Sequence, residues 1–231
     1  VRYEQRLEFQ INETTLAEMK QTLAGGYADA VSGDRWRHEF QKIFEERRAA
    51  EMLVRAIELD VLPAIHPALT DGQGLTGLAR ETNSPPSDYL AALAMSLSAA
   101  DGEGVSQRLN LPADWARVVR DTIALRKSES SFDGQVSRIS RSLDDLDPNA
   151  IAAFARISDD PQVAARLSRY LDEWRLVSPA LTGDDLLAMG VLPGVKIGEI
   201  LRELKAAKLD GLVSSEADER ALVQQIISRG D

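Results

Sequence analysis

A hairpin late in the chain carries the residues best suited to binding chemistry. Its sequence, LTGDDLLAMGVLPGVKIGEILRELKAAKLDG from Leu181 to Gly211, predicts a short helix that ends at Gly190, a turn at Pro193-Gly194 and a second helix from about Lys196 to Lys208. The first amides of a helix have no partner within it, so those of Val195 to Gly198 could receive a phosphate of a nucleic acid.

Side chains around this turn suit a sugar-phosphate backbone. The glycines at positions 194 and 198 would let that backbone approach closely, and Arg202 and Lys205 lie three residues apart on roughly the same side of the second helix. The alternative, that the glycines merely allow a tight turn and close helix packing, stays open. The predicted phosphate contacts on the hairpin are Gly194, Lys196, Gly198, Arg202 and Lys205.

A denser basic stretch lies between residues 117 and 141. It holds six cations against three acidic residues, whereas the chain as a whole has an excess of acid. From this stretch we predict Arg117 and Arg120 as further phosphate contacts. The alternative is a solvated helix face with ion pairs. The six cations are Arg117, Arg120, Arg126, Lys127, Arg138 and Arg141.

The sequence lacks the motifs of the common catalytic and metal-binding sites. The chain has no cysteine and two histidines, His38 and His66, and it contains no glycine-rich phosphate loop, no His-x-x-x-His pair and no Gly-x-Ser-x-Gly elbow. Each acidic pair, such as Asp184-Asp185, stands beside a predicted helix start, where carboxylates cap amides. We therefore predict no catalytic residue and no metal site, and expect a binding or structural module rather than an enzyme.

The composition of the chain limits its domain number and its class. The chain has 231 residues, 44% of them hydrophobic, and a formal net charge of −10, which is enough apolar sequence for one large domain or two small ones. The longest nearly apolar stretch, Tyr89 to Ala100, is too short to span a bilayer, so no membrane contact is predicted. The absence of cysteine fits a cytoplasmic protein. Because it opens at Val1 with a charged segment, the chain is interpreted as a piece of a longer protein.

Apolar residues recur at helical spacing almost throughout, which predicts an all-α fold. We expect nine or ten helices in an elongated arm with a C-terminal element like a helix-hairpin-helix. Helix starts are expected at Thr15-x-x-Glu18, Ser84-Pro85, Asp147-Pro148 and Asp160-Pro161, and helix ends at Gly102, Gly104 and Gly190. Turn-rich or acidic stretches at residues 70–86 and 144–148 suggest three parts: 1–70, 71–145 and 146–231.

The hairpin sequence resembles the C-terminal body motif of the class II tRNA nucleotidyltransferase and poly(A) polymerase family, the CCA-adding enzymes and their relatives. The opening, Arg2-Tyr3-x-x-Arg6-Leu7-x-Phe9-x-Ile11, is similar to the helix that follows the family's nucleotide-selecting Glu-Asp-x-x-Arg motif. Residues 32–40, SGDRWRHEF, match its Ser-x-x-Arg-x-x-x-Glu motif, and LPAIHPAL at 62–69 fits the loop after that helix. The resemblance spans most of the chain and is least distinctive over residues 100–180.

This resemblance implies that catalysis and RNA binding lie in different parts of the protein. Family members transfer nucleotides with Mg²⁺ and ATP or CTP on a head domain, which would lie upstream of this chain. Residues 1–70 would be the remainder of the neck, 71–145 the body and 146–231 the tail, and together they would hold the 3′ end of tRNA or another RNA. Alone, this chain would bind no cofactor and add no nucleotide. The residues expected to orient the neck or head are Arg2, Arg35, Arg37 and Glu39.

The charge of −10 argues against RNA binding, because phosphate affinity comes largely from lysine and arginine. The alternative is therefore a helical protein-interaction or dimerisation module that does not touch RNA, and a homodimer stays open. A further alternative is an enzyme whose site the sequence does not reveal, which would show clustered, buried titratable groups in a cleft.

Overall fold

Helices joined by short loops make up the computed structural model, which describes residues 1–78, 84–129 and 132–229. Those ranges contain no strand, so the predicted all-α class is confirmed. No helix within them is both long and apolar enough to cross a bilayer. Two 3-10 helices span Tyr27–Ala30 and Trp174–Leu176. The α-helices are α1 Arg2–Leu7, α2 Glu13–Ala24, α3 Gly33–Phe44, α4 Ala49–Glu58, α5 Val61–Ile65, α6 Gln73–Leu78, α7 Pro86–Ala94, α8 Ala99–Arg108, α9 Ala113–Ser128, α10 Val136–Leu143, α11 Pro148–Ile157, α12 Pro161–Asp172, α13 Gly183–Ala188, α14 Val195–Leu209 and α15 Glu216–Arg229.

The predicted number of helices is wrong, because the described ranges hold fifteen α-helices rather than nine or ten. Four of them, α1, α5, α6 and α13, have only five or six residues. A helix of less than two turns offers too few positions for apolar periodicity to appear in the sequence. The elongated shape stays a prediction.

Two of the predicted helix starts are confirmed by their caps. The Asp147 carboxylate accepts a hydrogen bond from the Asn149 amide at 2.8 Å, and the Asp160 carboxylate accepts one from the Gln162 amide at 2.8 Å. In both cases proline takes the first helical position, where its missing N–H costs nothing.

Two other predicted starts are wrong. Helix α7 begins at Pro86 with Pro85 at the cap position, so Ser84 does not cap it. Helix α2 is capped by Asn12, whose side chain accepts the amide of Thr15 at 2.8 Å. Thr15, the predicted cap, therefore lies inside α2 rather than at its start. Asparagine is a stronger N-cap than threonine.

The described residues form two compact units. Unit 1 comprises residues 1–129 and 146–165, and unit 2 comprises residues 130–145 and 166–231, so the division falls within α12. The three-part division at residues 70 and 145 stays a prediction. Part of its first boundary, residues 79–83, lies outside the described residues, and the preceding stretch holds α6 with a fully buried Leu75.

Helix α7 lies at the centre of unit 1. Every residue from Asp88 to Ala94 is buried, because the side chains from Tyr89 to Ala94 are aromatic or aliphatic on all faces and the Asp88 carboxylate pairs with Arg156. The helix packs against α6, α9 and α11. The Tyr89 ring stacks on Phe44 at a centroid distance of 5.2 Å, and Trp115 lies 5.6 Å from Phe44.

Gly102 and Gly104 do not end a helix, contrary to the prediction, but lie inside α8. A Cβ at Gly102 would come within 2.5 Å of the Ile123 Cδ1 atom, and one at Gly104 within 2.7 Å of the His66 Nε2 atom. Helix α8 thus uses glycine to approach its neighbours closely, a use that a single sequence does not distinguish from a helix stop.

Unit 2 is built around the hairpin of α13 and α14. Its buried core joins α13, α14 and α15, and α10 packs against α14 from another side. The Ser137 amide and hydroxyl donate to the Asp210 carboxylate at 3.0 and 2.7 Å, which ties α10 to the end of α14. The buried core residues are Leu181, Leu186, Val191, Ile200, Leu204 and Val223.

Candidate nucleic-acid interface

The predicted hairpin is present almost residue for residue. Helix α13 begins with a capping box in which Thr182 and Asp185 exchange hydrogen bonds, at 2.8 Å from the Thr182 amide and 3.3 Å from the Asp185 amide. The chain then turns at Gly190, with φ of +91°, and at Gly194, with φ of +129°. Side chains rarely adopt such positive φ values, so glycine is needed at both positions.

Glu219 fixes where the hairpin begins. Its buried carboxylate accepts hydrogen bonds from the amides of Ala180, at 2.8 Å, and Leu181, at 3.0 Å, and lies 3.4 Å from the Lys208 ammonium. Burial alone would raise the pKa of this carboxyl, but the two amides and Lys208 outweigh it and hold the pKa below its usual value. The ionised form of Glu219 therefore joins α15 and α14 to the segment before α13.

The hairpin tip is open to solvent. Leu192 and Val195 are 76% and 78% exposed, and Lys196 is also exposed. A Cβ at Gly198 would meet no atom of the described chain within 4 Å. Close helix packing therefore does not explain glycine at position 198, whereas the tight turn does explain Gly194.

The first turn of α14 offers fewer free amides than predicted. The Ile197 amide donates to the Gly194 carbonyl at 3.2 Å, since the turn closes with an i to i+3 bond, so the prediction is wrong for that amide. Lys196 stands beside this turn, but it does not lie with Arg202 and Lys205. Arg202 and Lys205 follow Lys196 by six and nine residues. At 3.6 residues per turn, neither side chain lies on the same face of the helix as Lys196.

Arg202 and Lys205 instead line a polar cavity between α10 and α14. The cavity has a volume of about 280 Å³. The Arg202 Nε donates to the Gly198 carbonyl at 3.1 Å, and the Lys205 ammonium lies 3.3 Å from both carboxylate oxygens of Asp144. The cavity is lined by Ser137, Ser140, Arg141, Asp144, Asp145, Arg202, Lys205, Ala206 and Leu209.

Asp144 has a second partner beside this cavity. The buried Tyr170 hydroxyl donates to it at 3.1 Å. Burial and then the negative charge of Asp144 raise the pKa of Tyr170, so the phenol stays protonated and remains a donor. Together with Lys205, this donor offsets the negative charge of Asp144 next to the two arginines.

Arg117 and Arg120 are both held by one buried carboxylate. Asp121, which is 3% exposed, lies 3.3 Å from the Arg117 Nε and 3.1 Å from the Arg120 Nε, and it also accepts the Asp147 amide at 2.9 Å. Both guanidinium groups keep solvent-exposed faces, since their side chains are 47% and 70% exposed. Arg117 and Arg120 therefore form the ion pairs that the alternative interpretation expected, while part of each side chain faces solvent. Their contact with RNA stays a prediction.

The basic stretch between residues 117 and 141 is divided between the two units. Arg126 of α9 donates to the carbonyls of Met95 and Leu97 and so has a structural role in unit 1. Arg138 and Arg141 lie on α10 in unit 2, where only Arg141 lines the cavity. Sequence reasoning included Arg141 in this stretch but did not predict it as a contact, and it missed Ser140.

The residues expected to orient the neck or head lie near the start of unit 1. The Arg2 guanidinium lies 3.9 Å from the Glu39 carboxylate, which also pairs with Lys42 at 2.7 Å. Arg37 instead pairs with Asp34 at 3.0 Å. Arg35 is exposed and has no ion pair within the described ranges. Their orienting role stays a prediction.

Comparison with known proteins finds one family match near the start of the chain and one relative along nearly its whole length. Residues 8–72 match the family described as "probable RNA and SrmB-binding site of polymerase A". The A-adding tRNA nucleotidyltransferase of Geobacter sulfurreducens is 24% identical over 250 residues, which cover 98% of this chain and 28% of that protein. The chain is similar to tRNA nucleotidyltransferase-like proteins, and the matches support the C-terminal region of such proteins as its counterpart.

Solved structures of tRNA nucleotidyltransferase relatives share the fold. A CCA-adding enzyme in complex with ATP superposes with a TM-score of 0.76 at 22% identity. The Thermotoga maritima CCA-adding enzyme complexed with tRNA gives a TM-score of 0.74 at 21% identity. Each match covers 100% of this chain and 59% of the solved chain. The chain thus spans under a third of the curated relative and about three-fifths of these solved chains.

Proposed function

We propose that this chain is the RNA-binding region of a tRNA nucleotidyltransferase-like protein and holds tRNA while nucleotides are added to its 3′ end. The observation that carries the proposal is the match of residues 8–72 to an RNA-binding family, within a chain whose whole length has the fold of a CCA-adding enzyme solved with tRNA. The open hairpin tip of unit 2, with Gly194, Lys196 and Gly198, supplies a surface on which a phosphate backbone fits.

Catalysis belongs to another part of the protein in this proposal. No cluster of three or more metal-ligating side chains lies within the described residues, and the sequence lacks the motifs of a nucleotide-transfer centre. The head domain with its Mg²⁺ and ATP or CTP would be contributed by chain beyond these 231 residues. The role of the present residues is to bind the RNA and orient its 3′ end.

Backbone contact is the mode of binding that the charge pattern favours. The chain is acidic overall, so its cations must act in small groups rather than as one basic face. Double-stranded RNA is recognised mainly by shape and through phosphates and 2′-hydroxyls. We expect binding that prefers tRNA, is modest in affinity and weakens as salt is added.

Replacing Gly198 with alanine separates stability from binding. The substitution is expected to stabilise unit 2 by about 0.5–1 kcal/mol, because alanine is the better helix former and its Cβ meets no atom of the described chain. It is also expected to weaken tRNA binding, because the added methyl group occupies the surface on which the RNA backbone lies. Urea unfolding and the anisotropy of labelled tRNA measure the two effects.

Gly77→Ala is the matched control for this test. Gly77 is also a helical glycine, in α6 of unit 1, and a Cβ there meets no described atom within 4 Å. The control should gain stability without changing tRNA affinity. If Gly198→Ala binds tRNA as tightly as Gly77→Ala does, the hairpin tip is not an RNA contact.

A protein-interaction surface is the second candidate function. Helix α1 has no buried residue, and its Tyr3 and Leu7 are 62% and 50% exposed. Phe9, which follows α1, and Tyr27 of the first 3-10 helix are 64% and 67% exposed. Exposed apolar groups of this kind are typical of protein contacts, whether with another domain, a partner or a second copy. Sedimentation of the chain, alone and with tRNA, distinguishes self-association from a tRNA complex.

A further inference from the structure

The cavity between α10 and α14 holds more cations than carboxylates, although the chain as a whole is acidic. Its lining holds three cations, Arg141, Arg202 and Lys205, against the carboxylates of Asp144 and Asp145. Lys205 is occupied by Asp144, which also accepts from the Tyr170 hydroxyl. Within the described ranges, neither Arg141 nor Arg202 forms an ion pair. The Arg141 guanidinium and the terminal nitrogens of Arg202, whose Nε donates to the Gly198 carbonyl, are therefore available to a ligand at one small site.

A buried serine at the same cavity has no partner. Ser140 is 1% exposed, and its hydroxyl forms no hydrogen bond within the described part of the chain. Buried hydroxyls almost always find a partner, because leaving one unpaired costs stability. The neighbouring Ser137 hydroxyl, by contrast, is used by Asp210. The unpaired hydroxyl beside two guanidinium groups can donate to a ligand that accepts hydrogen bonds.

We propose that this cavity binds one phosphate group of the RNA backbone, through Arg141 and Arg202 with the Ser140 hydroxyl as a further donor. A guanidinium group matches phosphate with two parallel hydrogen bonds and keeps its charge at all relevant pH values. A volume of about 280 Å³ suits a phosphate with part of its sugar rather than a larger ligand. The site rests on the proposed function and adds a second, separate contact to the hairpin tip.

The test uses the whole chain and three kinds of substitution. Arg141→Ala and Arg202→Ala are each expected to weaken tRNA binding about tenfold and to lower the slope of log affinity against log salt by about one, as the loss of one phosphate contact does. Arg138→Ala is the matched control, since it removes the same charge from α10 outside the cavity. Ser140→Ala should also weaken tRNA binding, yet leave stability without RNA unchanged or higher.

A second arm identifies the source of the phosphate. Inorganic phosphate and adenosine monophosphate are titrated into the chain while the NMR signals of the arginine side chains are followed. Weak phosphate shifts at Arg141 and Arg202, with much tighter binding of tRNA through the same residues, support the RNA assignment.

The outcomes separate failure of this site from failure of the proposed function. If the wild-type chain binds tRNA while Arg141→Ala and Arg202→Ala match Arg138→Ala, the cavity is not an RNA site and the proposed function stands. If the wild-type chain binds no tRNA at all, the proposed function and the RNA site both fail. Saturable adenosine monophosphate binding in that case would assign the cavity to a free phosphorylated ligand and overturn the RNA assignment.

Discussion

Replacing Asp88 with alanine is expected to lower the free energy of unfolding of unit 1 by about 1.5–3 kcal/mol, because it removes a buried carboxylate that accepts two charge-assisted hydrogen bonds from Arg156, whose own side chain is 39% exposed. The Asp88 carboxylate is fully buried in the first turn of α7. Arg156, at the end of α11, reaches it with two hydrogen bonds, at 2.7 Å from Nε and 2.5 Å from one Nη. This pair links the central helix of unit 1 to one of its main neighbours.

The control for this prediction is Asp114→Ala. Asp114 also stands in the first turn of a helix, α9, but its side chain is exposed, so only its favourable interaction with the helix dipole is lost, about 0.3–1 kcal/mol. Urea unfolding measures the change in each variant, and hydrogen exchange shows which unit loses protection. A cost for Asp88→Ala no larger than that of Asp114→Ala would mean that the Asp88–Arg156 pair does not hold α7 to α11.

Replacing Glu219 with alanine is expected to destabilise unit 2 by about 3 kcal/mol or more, because two backbone amides and a lysine lose a buried acceptor. The amides are those of Ala180 and Leu181, which begin the hairpin segment. The exposed Glu203 of α14 offers a matched control, and its alanine variant should change the free energy of unfolding by about 0.5 kcal/mol or less.

Lowering the pH should remove the stabilisation that the Glu219 carboxylate gives to unit 2. The pKa of Glu219 is lowered in the folded chain, so the ionised carboxylate stabilises the fold above the unfolded-state pKa, and this stabilisation is lost as the pH falls through the folded-state pKa. The stability difference between wild type and Glu219→Gln should therefore shrink between about pH 6 and about pH 3. A difference that does not change with pH would show that the carboxylate charge is not what holds the hairpin.

Local signals predicted the hairpin well. Gly190 and Pro193-Gly194 are turn formers, and α14 begins and ends within one residue of the predicted bounds. Helix caps next to proline were equally plain at Asp147 and Asp160. These features depend on a few neighbouring residues, so one sequence suffices to predict them.

Features made by distant residues were not predicted. The cavity depends on α10 packing against α14, more than 50 residues later, and on the Tyr170 contact with Asp144. Gly102 appeared to be a helix stop because its close neighbour, Ile123, lies on another helix. Single-sequence patterns report spacing along the chain, whereas these sites depend on which helix faces meet.

A single sequence also does not show which charged side chains are paired in the fold. Arg117 and Arg120 belong to a basic stretch in the sequence, yet both lie against the buried Asp121 in the fold. Arg141 belongs to the same stretch and has no ion pair within the described ranges. Which cations of an acidic chain remain available to a ligand is thus decided by tertiary contacts.

The most direct test of RNA holding is a titration of labelled tRNA with this chain at about 50 and 200 mM salt, followed by fluorescence anisotropy. The account predicts that tRNA binds more tightly than an unrelated hairpin RNA, that salt weakens binding, and that Lys196→Glu weakens it more than Lys127→Glu, an exposed lysine of α9. No binding of tRNA at the lower salt, or equal binding of both RNAs, would contradict it.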